Sequence, residues 1–105
     1  MLKSEFKILV NSLVSQADEL LAGTPDYQAG YLLLRNFEIF VSTHHKHLTN
    51  CYVLEHKEEI ADELIEMRDC INYSLKRDKW KSVMKNIKGD IESMLIQNSY
   101  SAKVD

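Results

Sequence analysis

The residues best suited to chemistry in this 105-residue chain are four histidines that stand close together near two carboxylates. They are His44, His45, His47 and His56, next to Glu55 and Glu59. Imidazole and carboxylate together are ligands that zinc and iron accept. On the predicted helices His45 falls near the apolar stripe and His56 on its flank, whereas His44 and His47 point elsewhere, so at most two or three of them can converge. Because the spacing matches no ligand signature, we predict no metal and no cofactor; the residues that come nearest to a metal site are His44, His45, His56 and Glu59.

An acidic segment of the third predicted helix, Glu58-Glu59-Ile60-Ala61-Asp62-Glu63-Leu64, provides a second group of carboxylates. It resembles the second acidic helix of the MazG-type nucleotide pyrophosphohydrolases, which are all-α enzymes. The resemblance implies magnesium binding by the Glu-x-x-Asp pair Glu59 and Asp62. Members of that family also carry a Glu-Glu-x-x-Glu motif on the preceding helix, where this chain has Glu38 alone. A metal-dependent pyrophosphohydrolase is therefore an alternative function with half of its motif present.

The dipeptide Arg35-Asn36, followed by His44, resembles the Arg-Asn...His ribonuclease motif of HEPN domains. Those domains are also small helical bundles, and they often pair. In this chain eight residues lie between Arg35 and His44, rather than four to six, and these two residues lie half a turn apart on an ideal helix. The sequence thus keeps a HEPN-like ribonuclease as a second alternative, but it predicts that the protein is not an enzyme.

Composition predicts one compact domain over residues 1–98 and a frayed polar tail over residues 99–105. The chain is 45% hydrophobic with a net charge of −3, which argues against a surface devoted to nucleic acid. We predict a cytoplasmic protein that does not bind membranes, because the charged N-terminal segment leads into no long apolar run. Cys51 and Cys70 lie roughly 28 Å apart along one predicted helix, so we expect reduced packing residues rather than a disulfide.

Apolar spacing predicts four helices in an antiparallel, up-down-up-down bundle. Helix one covers residues 2–22 and ends at Gly23, with Thr24 as the next cap and Pro25 opening helix two, which runs to residue 47. We expect a turn at residues 48–50, the alternative being one helix over residues 25–76. Helix three extends to Leu75, and helix four follows the cap Asp78 with a narrow stripe: Trp80, Val83, Met84, Ile87, Ile91 and Met94.

Charges in the second half of the chain are segregated. Residues 55–69 carry a net charge of −5 and residues 76–88 a net charge of +5. Helix macrodipoles favour this arrangement, and we take it as the main explanation. The alternative is a basic corner that binds a phosphate or an acidic partner, but Trp80 lies on the core stripe and is therefore expected to be unavailable for stacking on a base.

Helix two carries more apolar residues than one stripe requires. Tyr27, Leu34, Phe37, Val41 and Leu48 form its core face, and at about 100° per residue Leu32 and Ile39 fall almost opposite. Either the neighbouring helices enclose helix two, or it contacts another molecule. We predict a protein that acts by protein–protein interaction, as a regulator, inhibitor, immunity protein or adaptor, binding a partner or a second copy of itself. The predicted contact residues are Tyr31, Leu32, Arg35, Asn36, Ile39 and Phe40.

Overall fold

A computed structural model describes residues 3–48 and 55–95, which form a bundle of four α-helices. The helices are α1 (Lys3–Ala22), α2 (Tyr27–Thr43), α3 (Lys57–Asn72) and α4 (Trp80–Ser93). Short 3-10 segments follow α2 at His45–His47 and precede α4 at Ser74–Lys79. Helix α1 packs against α2 and α4, and α3 packs against the same two helices. The predicted all-α antiparallel bundle is confirmed.

The core lies along the bundle axis and draws residues from all four helices. Its largest fully buried side chains are Trp80, Phe6, Phe37, Leu34 and Met67. Burial of a large apolar side chain stabilises a fold by about 1.5–3 kcal/mol. All six residues of the predicted α4 stripe are buried, as the sequence indicated, while Gly89 lies on the exposed side of α4.

The connection between α1 and α2 lies where the sequence placed it, but the capping residue differs. Helix α1 ends at Ala22, and the Gly23 amide donates to the Glu19 carbonyl at 3.2 Å. Asp26, not Thr24, is the N-cap of α2: its backbone is extended and its carboxylate accepts a hydrogen bond from the Ala29 amide at 3.0 Å. Since the helix begins two residues later than predicted, Pro25 lies before the cap rather than in the first turn.

The break between α2 and α3 comes earlier than predicted. Helix α2 ends at Thr43 rather than at residue 47, and Leu48 is buried with an extended backbone. The Thr43 hydroxyl donates to the Ile39 carbonyl at 2.8 Å, a local bond that competes with helix continuation. A single helix over residues 25–76 is thereby ruled out. Residues 49 and 50 of the predicted turn lie outside the described residues.

The end of α3 also differs from the prediction. Helix α3 ends at Asn72, so Leu75 lies in the following 3-10 segment, where it is 93% exposed instead of belonging to the core. Arg77 explains the early end, since its guanidinium donates to the carbonyls of Cys70 at 3.0 Å and Ile71 at 3.4 Å. These carbonyls would otherwise bond amides of a continuing helix. Asp78 is inside the 3-10 segment and does not cap α4.

Within the described residues, none of the helices has the length and apolar character required to span a bilayer. Cys70 is a buried thiol, and its Sγ donates to the Lys76 carbonyl at 3.4 Å. Burial raises the pKa of this thiol, so it is protonated at neutral pH. Cys51 and the predicted tail over residues 99–105 lie outside the described residues.

Candidate functional site

The side of α2 that points away from the core forms an outer face of apolar and polar residues. It consists of Gln28, Leu32, Arg35, Asn36, Ile39 and Thr43, all of which are exposed. Leu32 is 58% exposed and Ile39 is 54% exposed. They are seven positions apart in the sequence, which places them two helical turns apart on one side of α2. The neighbouring helices therefore leave this side of α2 open.

Four of the six predicted contact residues belong to this outer face, and two do not. Tyr31 and Phe40 are only half-exposed and pack against the core. The Phe40 ring lies against Phe6 of α1, with their centroids 5.3 Å apart. Tyr31 and Phe40 thus pack α2 against its neighbours, whereas Leu32 projects into solvent.

A groove between α1 and α2 extends the outer face on one side. Helix α2 lines it with Ala29, Leu32, Leu33 and Asn36, and α1 lines it with Gln16, Glu19 and Leu20. Helix α1 also exposes apolar residues of its own, since Ile8 is 67% exposed and Leu9 is 42% exposed. By its spacing from Phe6 and Leu13, Leu9 belongs to the apolar stripe of α1. The orientation of α1 against the neighbouring helices places Leu9 at the edge of that stripe.

The outer face of α2 carries little net charge. Its one cation, Arg35, forms an ion pair with Glu38 on the same helix. In contrast, α3 exposes Glu58, Glu59, Asp62 and Glu66, and α4 exposes Lys81 and Lys85. The outer face of α2 therefore combines exposed apolar residues with little net charge, in contrast to the charged faces of α3 and α4.

Three of the six basic residues over residues 76–88 make contacts within the chain. Lys76 pairs with Asp69 at 3.6 Å, and the Arg77 guanidinium lies 4.8 Å from the centre of the Tyr27 ring while it bonds the end of α3. Lys88 pairs with Asp18 of α1 at 2.5 Å. Trp80 is 1% exposed, which confirms that it belongs to the core and is not available to stack on a ligand.

The histidines that the sequence grouped as metal candidates lie in different surroundings. His44 packs edge-on against Phe6 and lies 4.7 Å from Phe40, on the side of α2 that faces α1. Burial, and then the nearby His47, lower the pKa of His44, so its imidazole is neutral at neutral pH. His45 instead lines a groove between α2 and α3 with Lys57. His44, which the sequence placed away from the apolar stripe, thus contacts two aromatic rings, and His45 lies near Val41 and Ile60 in its groove.

The described residues contain no group of three or more histidine, cysteine, aspartate or glutamate side chains arranged to hold a metal ion. Glu59 and Asp62, the pair that resembles the MazG motif, are both exposed on α3. The residues that resemble the HEPN motif are not brought together either. Arg35 pairs with Glu38, whereas His44 lies against the aromatic rings of Phe6 and Phe40.

One pair of carboxyl groups that the sequence did not single out lies between two helices. Asp90 of α4 is only 8% exposed, and the carboxyl group of Glu63 on α3 lies next to that of Asp90. Burial, followed by the contact with Asp90, raises the pKa of Glu63 to about 9. The two residues are separated by a 3-10 segment and most of two helices, so their spacing in the sequence gives no sign of the contact.

Comparison with known proteins gives no match to this chain among protein-family models, curated proteins or solved structures. The candidate functional surfaces are thus the outer face of α2, with its adjoining groove, and the contact between Glu63 and Asp90.

Proposed function

We propose that this protein acts by protein–protein contact and that the outer face of α2 binds a second copy of the chain. The observation that carries the proposal is the exposure of Leu32 and Ile39, each more than half accessible, on a helix whose opposite face is already buried in the core. Two large apolar residues at a spacing of seven are the anchor pattern with which a helix contacts another helix.

The distribution of charge favours a second copy as the partner. In a two-fold symmetric dimer the same surface faces itself, so any net charge on that surface is repelled by its own copy. Pairing through the acidic side of α3, or through the lysines of α4, would bring like charges together. On the outer face of α2, the ion pair between Arg35 and Glu38 leaves little net charge to oppose pairing.

The expected dimer is weak. Stable interfaces bury about 800 Å² on each partner, and the outer face of α2 offers two large apolar residues with a polar rim. Association must also offset the loss of translational and rotational freedom. We therefore expect a dissociation constant on the order of micromolar or higher, and a solution mass that rises from one copy toward two as the protein is concentrated.

Replacing Ile39 with glutamate should abolish this association, because a carboxylate would then be desolvated in the contact. The matched control is Ile65→Glu: Ile65 is 48% exposed on α3, against 54% for Ile39 on α2. Light scattering over a range of concentrations measures the mass of the wild type and both variants. We expect concentration-dependent dimerisation in the wild type and in Ile65→Glu, and a monomer at every concentration in Ile39→Glu.

Two results would count against the proposal. A wild-type monomer up to about millimolar concentration would rule out self-association of useful strength, and equal dimerisation of the two variants would place the contact elsewhere. Circular dichroism separates these outcomes from unfolding. Because Ile39 is exposed, Ile39→Glu should keep the helical signal and the thermal midpoint of the wild type to within a few degrees.

A further inference from the structure

We propose that Glu63 and Asp90 share one proton at neutral pH, that this shared proton stabilises the packing of α3 against α4, and that it is lost when the pH rises. This proton sharing is independent of the contact proposed for α2. Its first support is position: Glu63 belongs to α3 and Asp90 to α4, and these two helices pack directly against each other.

The second support is the hydrogen bonding of the two carboxyl groups. Glu63 Oε2 and Asp90 Oδ2 are both buried, and neither accepts a hydrogen bond from an N–H or O–H group. A buried acceptor without a donor costs free energy. A proton on one of the two carboxyl groups supplies the missing donor, because a protonated carboxyl donates to the carboxylate beside it. Two ionised carboxylates in contact would instead repel each other.

The charges around the pair reinforce proton sharing. Glu59 and Glu66 act on Glu63 from its own helix and favour its neutral form. Around Asp90, Glu59 favours the neutral form, whereas His56, at the start of α3, favours the carboxylate. Lys88, although it precedes Asp90 by two residues, pairs with Asp18 and Glu92. Glu63 is thus the expected proton donor and Asp90 the acceptor.

The dependence on pH follows from the raised pKa of Glu63. Its value in the fold is about 9, against an ordinary value of 4.5. Between these values the folded chain binds more protons than the unfolded chain, so stability falls as the pH rises. Below pH 4.5 Glu63 is protonated in both the folded and the unfolded chain, so it causes no change of stability with pH there. Within the window the folding equilibrium constant can fall by as much as about tenfold for each pH unit.

The test compares Glu63→Gln with the wild type by urea denaturation from about pH 6 to about pH 10. Glutamine keeps a donor facing Asp90 but does not titrate in this range. The wild type should lose stability as the pH rises, and Glu63→Gln should lose much less. Glu58→Gln is the matched control, since it removes an exposed carboxylate from the same helix. We expect it to retain the pH dependence of the wild type.

Carbon-13 NMR of the carboxyl groups provides a second measurement that does not depend on stability. One glutamate signal should titrate far above the other carboxyl groups, and it should be absent in Glu63→Gln. In Asp90→Asn the same signal should titrate at lower pH, because the carboxylate that opposes ionisation of Glu63 has been removed. Titration of every carboxyl group in the wild type below about pH 6 would overturn the proposal, as would identical pH dependence in the wild type and Glu63→Gln.

Discussion

Replacing Trp80 with alanine is expected to lower the free energy of unfolding by about 3–5 kcal/mol. Trp80 is 1% exposed and begins α4. Its ring meets Tyr27 of α2 edge-on, with their centroids 6.2 Å apart, and its indole nitrogen lies close to Gly30. Removing the indole leaves a large cavity where α2 and α4 approach each other. Small domains have a total stability of about 5–15 kcal/mol, so the variant should approach unfolding at body temperature.

Urea denaturation followed by circular dichroism measures this loss. Tryptophan fluorescence cannot be used for the variant, because Trp80 is the single tryptophan of the chain. Tyr73→Ala is the control: Tyr73 is also aromatic but is 58% exposed, and its replacement should change stability by less than about 0.5 kcal/mol. A similar loss in both variants would show that the burial of Trp80 does not stabilise the bundle.

Residue spacing was sufficient to predict the helices and most of their core faces. The α4 stripe shows why: with about 3.6 residues per turn, apolar residues three and four positions apart have to lie on one side of a helix. The same rule placed Leu32 and Ile39 away from the core stripe of α2, and both are exposed. Periodicity reports which side of a helix is apolar, and it does so without knowledge of the neighbouring helices.

The helix ends were predicted less well, since they depend on single side chains that act over several residues. Arg77 bonds carbonyls six and seven residues earlier and ends α3 at Asn72, which leaves Leu75 in solvent. The apolar pattern alone continued to Leu75. The early end of α2 similarly coincides with a hydroxyl bond, from Thr43 to the Ile39 carbonyl.

The edges of the candidate surfaces depend on how the helices are oriented around each other. Phe40 packs partly into the core because its ring lies against Phe6 of α1, and the sequence of α2 alone does not contain that contact. The contact between Glu63 and Asp90 likewise arises only when α3 and α4 pack together. Contacts between helices join residues that are far apart in the sequence, so a pattern within one helix does not contain them. Gly30 is a further example of such a contact between helices. From the sequence of α2 alone, a glycine inside the helix predicts only that the helix is less stable.

Gly30 is expected to be required for the close approach of α2 to α4. A Cβ atom added at Gly30 would lie 2.8 Å from Trp80 Nε1 and 2.9 Å from Met67 Cε. The methionine end can move, but the indole is rigid and enclosed in the core. Gly30→Ala should therefore destabilise the protein by about 1–3 kcal/mol, even though alanine favours a helix over glycine by about 1 kcal/mol.

Gly89 provides the matched control, since the same substitution there removes only the conformational cost of glycine. It lies within α4, and a Cβ atom at this position would meet no atom within 4 Å. Gly89→Ala should raise the free energy of unfolding by about 0.5–1 kcal/mol, so the two variants should shift the urea midpoint in opposite directions. A stabilising Gly30→Ala would contradict the close packing of α2 against Trp80.

A double-mutant cycle tests whether Trp80 is the obstacle to a side chain at Gly30. The smaller ring of phenylalanine should make room for the added methyl group, and the buried indole N–H of Trp80 has no hydrogen-bond partner to lose. Gly30→Ala should therefore be less destabilising in a Trp80→Phe background than in the wild type. Additive effects would instead assign the clash to Met67 or Met84, whose Sδ lies 3.2 Å from the same position.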